Sequence, residues 1–181
     1  VVAGAAWIAA DMVGNLPAGL TDSKRLNASR RQIIYEALLD LAQDRSKLRW
    51  ATAATDAREI DQIGILPATF QAMQTAANTL FDQDDGAWGQ DDVIMLVDGS
   101  IQPKLSSPAQ RTEVEAIIKG DLKVLSIAAA SIMAKVTRDE IMIELAKTYP
   151  QYGWQKNKGY GTADHQAALA EHGATAYHRM S

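Results

Sequence analysis

The sequence contains no cysteine. A chain without cysteine forms no disulfide bond and offers neither a thiolate metal ligand nor a cysteine nucleophile. It also lacks any uninterrupted run of about 18 apolar residues, the length that a membrane-spanning helix needs. These absences exclude disulfide-bonded, thiol-dependent and helical membrane proteins, and we expect a cytoplasmic protein with no membrane partner.

Histidine is scarce, and a leader sequence is not evident. His165, His172 and His178 are the only histidines, and their spacing does not match a metal-binding motif. His165 and His178 are as consistent with a structural role as with a functional one. The chain begins with "VVAGAAWIAA", without methionine. Because this apolar run has no basic leader and Asp11 follows it directly, we predict a buried strand and not a signal peptide.

The length and charge favour one soluble domain over residues 1–181. The 181 residues are 47% hydrophobic, which is typical of a globular protein with a sizeable core. The net charge of −4 is uneven: residues 36–92 hold eleven acids and four bases, whereas residues 118–160 hold seven bases and four acids. A locally basic face is enough for phosphate contacts, although charge alone favours an ordinary mixed surface.

Apolar periodicity and turn residues predict an α/β fold, with a mixed sheet flanked by helices and a helical C-terminal part. In the first helix we expect Ser29 to act as the cap, with Asp22 or Asn27 as an alternative cap, and we expect one shared face made of Ile33, Ile34, Ala37, Leu38 and Leu41. The predicted strands cover residues 1–9, 49–56, 92–99 and 113–121. The predicted helices cover residues 28–45, 57–81 with a break at 64–67, a stretch that follows residue 121, and residues 164–173. Residues 82–90 are predicted to form an acidic loop.

Two aspartates stand out by their position. Asp98 ends one predicted strand, and Asp121 ends the next and precedes a helix. Ligands of α/β sheets bind beyond the carboxyl ends of strands, and paired carboxylates suit Mg²⁺. The alternative is that Asp98 is a turn residue before Gly99 and that Asp121 caps the helix.

Three further segments carry residue types that suit a nucleic-acid backbone. The helix after Asp121 contains "SIAAASIMAK", whose small side chains let the helix lie close to the sheet, with Ser131 and Lys135 as candidate phosphate contacts. The loop "KNKGYGT" offers Lys158 to phosphate and Tyr160 for stacking, and "LTDSKRLN" offers Lys24. Each segment alone is equally typical of an Ala-rich packing helix or an ordinary surface loop.

In combination these segments resemble type 2 ribonuclease H (ribonuclease HII). The strings "LTDSKRLN", "MLVDGS", "SIAAASIMAKVTRD", "NKGYGT" and "HGATAYHR" occur in the order and spacing found in that family, over nearly the whole chain. The string "KGYGT" favours type 2 over the related type 3 enzymes.

The resemblance implies a ribonuclease H-like fold and an endonuclease that depends on Mg²⁺ or Mn²⁺. The implied substrate is RNA in an RNA–DNA hybrid or a single ribonucleotide in duplex DNA, and the implied assembly is a monomer. Asp98 and Asp121 match the third and fourth of the family's four metal-binding acids. Tyr160 matches the tyrosine that stacks at the RNA–DNA junction, and Lys24 and Lys135 match basic positions near the substrate.

One family segment does not occur in these 181 residues. It reads Asp-Glu-Ala-Gly-Arg-Gly, lies just upstream of the strand that is "VVAGAAWIA" here, and forms the central strand of the family's sheet. It supplies the first two acids and reads the 2′-hydroxyl, and Asp11 is no substitute for it. We therefore expect the sequence to be a truncated view, at both ends, of a normal enzyme.

Two other functional classes remain. A catalytically inactive nucleic-acid-binding relative would explain the missing acids, but it has no chemical need for both Asp98 and Asp121. A generic α/β domain without a nucleic-acid role would leave every matched string an accident.

Overall fold

The computed structural model describes residues 1–83 and 92–180, and it confirms the α/β fold class. Most of the predicted acidic loop at residues 82–90 lies outside these ranges. The strands pair as two separate two-stranded sheets. The strands are β1 (Val2–Ile8), β2 (Leu48–Ala54), β3 (Val93–Asp98) and β4 (Thr112–Ile117); the helices are α1 (Ala28–Leu41), α2 (Ala57–Ile63), α3 (Ile65–Phe81), α4 (Leu125–Thr148), α5 (Trp154–Asn157) and α6 (Ala163–His172).

The first sheet packs on α4 at very short range. β1 and β2 are antiparallel, with Val2 opposite Ala54 and Ile8 opposite Leu48. A Cβ atom built on Gly4 would lie 2.4 Å from the carbonyl oxygen of Ala130 in α4. The small residues of α4 therefore serve close packing against β1, as the sequence predicted.

The main core joins this sheet to α1 and α4. Its buried side chains interlock between the two helices and β2, and they exclude water from both helix faces. They are Ile34, Leu38, Leu48, Ala129, Ile132, Met133 and Val136.

Helix α1 takes the alternative cap and differs from the prediction in one face residue. Asn27, and not Ser29, occupies the cap position, and its side chain accepts a hydrogen bond of 2.8 Å from the backbone N–H of Arg30. Ile34 and Leu38 are buried as expected, but Ile33 is 53% exposed. Ile33 points away from the core because α4 and β2 cover only a narrow stripe of α1. The apolar residues of the sequence extend beyond that stripe.

The predicted break in the second helical segment is confirmed. Gly64 has a φ of 85° and separates α2 from α3. Pro67 lies within the first turn of α3. Backbone N–H groups in the first turn have no acceptor within the helix, so the missing N–H of proline costs no helical hydrogen bond. The helix boundary is therefore at Gly64 alone.

The second sheet has parallel strands. β3 pairs with β4 so that Asp98 lies opposite Ile117. Ala77 and Phe81 of α3 pack against Val93 at the beginning of β3. This packing fixes the strand that ends in Asp98.

The C-terminal part is held together by aromatic side chains. Tyr152 and Trp154 stack with ring centroids 5.1 Å apart, and His178 lies 4.8 Å from the Tyr152 ring centroid. His178 also stacks on His165 at 5.4 Å. The backbone N–H of Thr175 donates to Nδ1 of His178, which places the proton of a neutral ring on Nε2. His165 and His178 therefore have structural surroundings, one of the two roles that the sequence left open.

We expect the thermal stability of the protein to fall as the pH is lowered below about 6.5. Burial and the adjacent His165 hold the pKa of His178 below its usual value of 6.5. The unfolded state therefore binds a proton first, and stability present above that pH is lost as the pH falls toward the lowered pKa. Melting temperatures measured across this range should drop less for His178→Gln, whereas an equal drop in both proteins would contradict the assignment.

Candidate active site

Asp98 and Asp121 are brought together by a short turn after β4. β4 ends at Ile117, Lys119 adopts a left-handed conformation with φ of 56°, and a 3-10 turn covers Gly120–Leu122. The backbone N–H of Gly120 donates a hydrogen bond of 2.8 Å to Oδ1 of Asp98. Asp121 therefore follows directly after the residue that holds Asp98.

Two sequence expectations for Asp121 are wrong. It does not end a strand, because the left-handed Lys119 turns the chain out of the sheet first. It also does not cap α4, because Val124 occupies the cap position and no side chain caps this helix. The position of Asp121 thus has no helix-capping explanation.

Gly120 is confined by its neighbours. A Cβ atom at this position would lie 2.7 Å from Cδ1 of Ile127 and 3.4 Å from Oδ1 of Asp98. Only glycine allows the backbone N–H to approach the carboxylate at hydrogen-bonding distance without displacing Ile127.

The surroundings of Asp121 disfavour the charged form of its carboxyl group. Burial raises the pKa of the Asp121 carboxyl, and the charges of Asp98 and Asp22 raise it further, while Lys24 opposes them. A hydrogen bond with Asp22 acts in the same direction as burial. Sequence reasoning assigned no role at the site to Asp22; its nearness to Lys24 in "TDSK" was the only available signal.

These carboxylates fit a divalent cation in their chemistry. A cation would stabilise the charged form of Asp121 that burial and the neighbouring carboxylates disfavour, and Mg²⁺ and Mn²⁺ favour carboxylate oxygens. Within residues 1–83 and 92–180, no group of three or more His, Cys, Asp or Glu side chains is arranged to hold a metal ion. Asp98 and Asp121 are the side chains here that would hold such an ion.

A basic network lies on α4. Nζ of Lys135 is 2.5 Å from Oδ1 of Asp139, and Nη1 of Arg31 is 3.7 Å from Oδ2 of the same residue. Arg31 also donates to the carbonyl oxygens of Ser23 and Leu26. Arg31 and Asp139, which sequence reasoning did not select, therefore fix both Lys135 and the loop that carries Lys24.

Ser131 has a partner within the protein. Its hydroxyl lies 2.8 Å from the hydroxyl of Ser23, which is 3% exposed. This contact attaches the loop of residues 20–27 to α4. A substrate contact of Ser131 stays a prediction.

The loop of Tyr160 and Lys158 leaves the two side chains in different places. Tyr160 is 52% exposed, with Nζ of Lys135 5.5 Å from its ring centroid. Lys158 has a φ of 51°, and its Nζ donates to the carbonyl oxygen of Gln155, so the ammonium group turns back toward α5. Tyr160 is therefore available for stacking, while Lys158 is engaged locally.

One cleft between the two sheets unites most of the predicted site. It is bordered by all residues of β1 and β3. Five of the predicted site residues line it, together with Arg138: Lys24, Asp98, Ser131, Lys135 and Tyr160. Asp121 is coupled to it through Asp98, and Lys158 does not line it.

An α/β fold with paired carboxylates, lysines and an exposed tyrosine at one site suits a hydrolase of nucleic-acid phosphodiesters. The ribonuclease HII family model matches residues 1–181. Ribonuclease HII from Erythrobacter litoralis is 42% identical over 181 residues, which cover 99% of this chain and 81% of that protein. The chain belongs to the ribonuclease HII family, which confirms the resemblance: it is a type 2 ribonuclease H, an endonuclease for the RNA strand of RNA–DNA hybrids.

Solved structures share the fold. Ribonuclease H2 from Pyrococcus horikoshii OT3 superposes with a TM-score of 0.66 at 20% identity, covering 94% of this chain and 86% of that one. The Mn²⁺ complex of Bst-RNase HIII gives a TM-score of 0.66 at 17% identity, covering 94% and 64%. Among the described residues, none of the helices has the length and apolar character required to cross a membrane.

Proposed function

We propose that the protein also cuts duplex DNA on the 5′ side of a single embedded ribonucleotide, a step of DNA repair, by two-ion catalysis with Mg²⁺ or Mn²⁺. The observation that carries this proposal is the shared cleft, in which Asp98 lies with Lys24, Lys135 and Tyr160. This combination offers cation ligands, phosphate contacts and a stacking surface at one place.

Each side chain has a distinct part in the proposed reaction. Asp98 and Asp121 would hold divalent cations, which would supply activation of a water molecule and stabilisation of the leaving oxygen. Lys24 and Lys135 contact backbone phosphates, and Tyr160 stacks at the junction between ribonucleotide and deoxyribonucleotide. Hydrolysis breaks the bond between phosphorus and the 3′ oxygen, leaving a 5′-phosphate and a 3′-hydroxyl.

A second candidate function is binding to the same nucleic acids without cleavage. The observation that favours it is that Lys24, Lys135 and Tyr160 line the cleft, whereas Asp121 does not. Such a protein would still bind through Lys24, Lys135 and Tyr160.

The test uses the purified polypeptide and a DNA duplex that carries one ribonucleotide. We expect cutting on the 5′ side of the ribonucleotide with Mg²⁺ or Mn²⁺ and none with chelator. An all-DNA duplex of the same sequence is the control. Saturable binding without cutting, from a folded sample, would instead support the binding function.

A further inference from the structure

Arg138 of α4 has a guanidinium group with few polar contacts. It lines the cleft beside Lys135 and Tyr160. Its Nη1 atom is buried and has no hydrogen-bond partner among the described residues. Within residues 1–83 and 92–180, the acidic group nearest to it is the carboxylate of Asp139, whose Oδ1 lies at the long distance of 4.0 Å from Nη1. The protein therefore holds a cation here whose charge is poorly matched by a carboxylate.

The aromatic ring of Tyr160 is the better partner for this cation. The Cζ atom of Arg138 lies 5.2 Å from the ring centroid, within the range of a cation–π contact. Lys135 is also near the ring, but its ammonium group is 2.5 Å from Asp139 and is thus already neutralised. A guanidinium group is flat and weakly hydrated, and it stacks on aromatic faces better than an ammonium group.

The backbone around Tyr160 is fixed against α4. Gly159 has a φ of 75°, and a Cβ atom there would lie 3.1 Å from Cε of Met142 and 3.7 Å from Nη2 of Arg138. Oδ1 of Asn157 accepts a hydrogen bond of 2.8 Å from Gly159, and the carbonyl oxygen of Asn157 accepts one of 2.9 Å from Tyr160. Because the backbone is set, the remaining freedom of Tyr160 lies in its side-chain torsions.

We propose that Arg138 is a positioning residue that fixes the Tyr160 ring for stacking on the substrate. The guanidinium group covers part of the ring, and the exposed half of the side chain is left for a base or sugar of the nucleic acid. This inference rests on the proposed function, because it assigns to Tyr160 the stacking contact at the ribonucleotide junction. Arg138 acts on the substrate through Tyr160.

The test measures stacking and affinity separately. The probe is a DNA duplex with one ribonucleotide and an adjacent 2-aminopurine, whose fluorescence changes when a ring stacks on it. Arg138→Met removes the charge and keeps the length of the side chain. We expect it to reduce the fluorescence change at saturating protein by at least about half, and Arg138→Lys to restore part of it.

Lys147→Met is the matched control, because Lys147 lies on the same helix, is exposed and does not line the cleft. Lys147→Met should leave the fluorescence change at saturating protein unchanged. A full signal in Arg138→Met would overturn the inference while leaving the proposed function intact. If that variant does not fold, Arg138→Lys combined with Tyr160→Ala tests the same coupling, and strictly additive losses of affinity would overturn it. Failure of the unsubstituted protein to bind the probe would overturn both proposals.

Discussion

Asp121→Asn is expected to abolish metal-dependent cleavage, lowering the rate by about a thousandfold. The amide keeps the shape of the carboxylate but loses the charge that attracts the cation. Loss of several kcal/mol of transition-state stabilisation corresponds to about three powers of ten in rate. Cleavage of a duplex with one ribonucleotide, followed at saturating Mg²⁺, provides the measurement.

The same substitution should make the protein more stable at neutral pH. The raised pKa of Asp121 means that its charged form is disfavoured in the folded state. Stability therefore falls as the pH rises above the ordinary carboxyl pKa, and removing the charge relieves the repulsion from Asp98 and Asp22. Asp40→Asn, at an exposed position of α1, is the control for the change in stability.

Normal cleavage by Asp121→Asn would show that Asp121 is not part of the metal site.

Gly4→Ala is expected to destabilise the protein by about 3 kcal/mol or more. Alanine normally stabilises by about 0.4–1 kcal/mol at a compatible glycine, because it restricts the unfolded chain. At Gly4 the added Cβ would lie 2.4 Å from a backbone carbonyl of α4, so β1 or the helix has to move. The free-energy cost of this clash exceeds the gain from the restricted unfolded chain. Chemical denaturation of Gly4→Ala should therefore have a lower midpoint than that of the unsubstituted protein.

Gly14 provides the matched control for this substitution. It lies in the 3-10 turn Ala10–Asn15 and would have no atom within 4 Å of an added Cβ. Gly14→Ala should therefore be neutral or slightly stabilising. Equal denaturation midpoints for the two variants would show that β1 or α4 moves to accommodate the added Cβ atom more readily than the geometry of their contact indicates.

The sequence predicted elements well where the signal was local. The apolar run at residues 1–9 became β1, Gly64 separated two helices, and Gly173 ended α6. It did not distinguish Asn27 from Ser29, because both residue types cap helices and they lie two positions apart. It also left Ile33 on the wrong face, since burial depends on which partners cover the helix.

The site was predictable in its residue types but not in its geometry. Asp98 was found because a strand followed by Asp-Gly marks a strand end. The left-handed Lys119, which separates Asp121 from its strand, has no sequence signal, because lysine rarely adopts this conformation. The contacts of Arg31 with Asp139 and of Ser23 with Ser131 join residues far apart in the chain, and only the fold brings them together.

The contact of Gly4 with Ala130 also bears on how the chain acquires its fold. The entropy lost on joining two points of a chain grows with the length of the loop between them. β1 therefore docks on α4 only after a long loop has closed, and folding should be slower than in a helical bundle of this size. During synthesis, β1 leaves the ribosome well before α4 exists, so this strand waits without its packing partner.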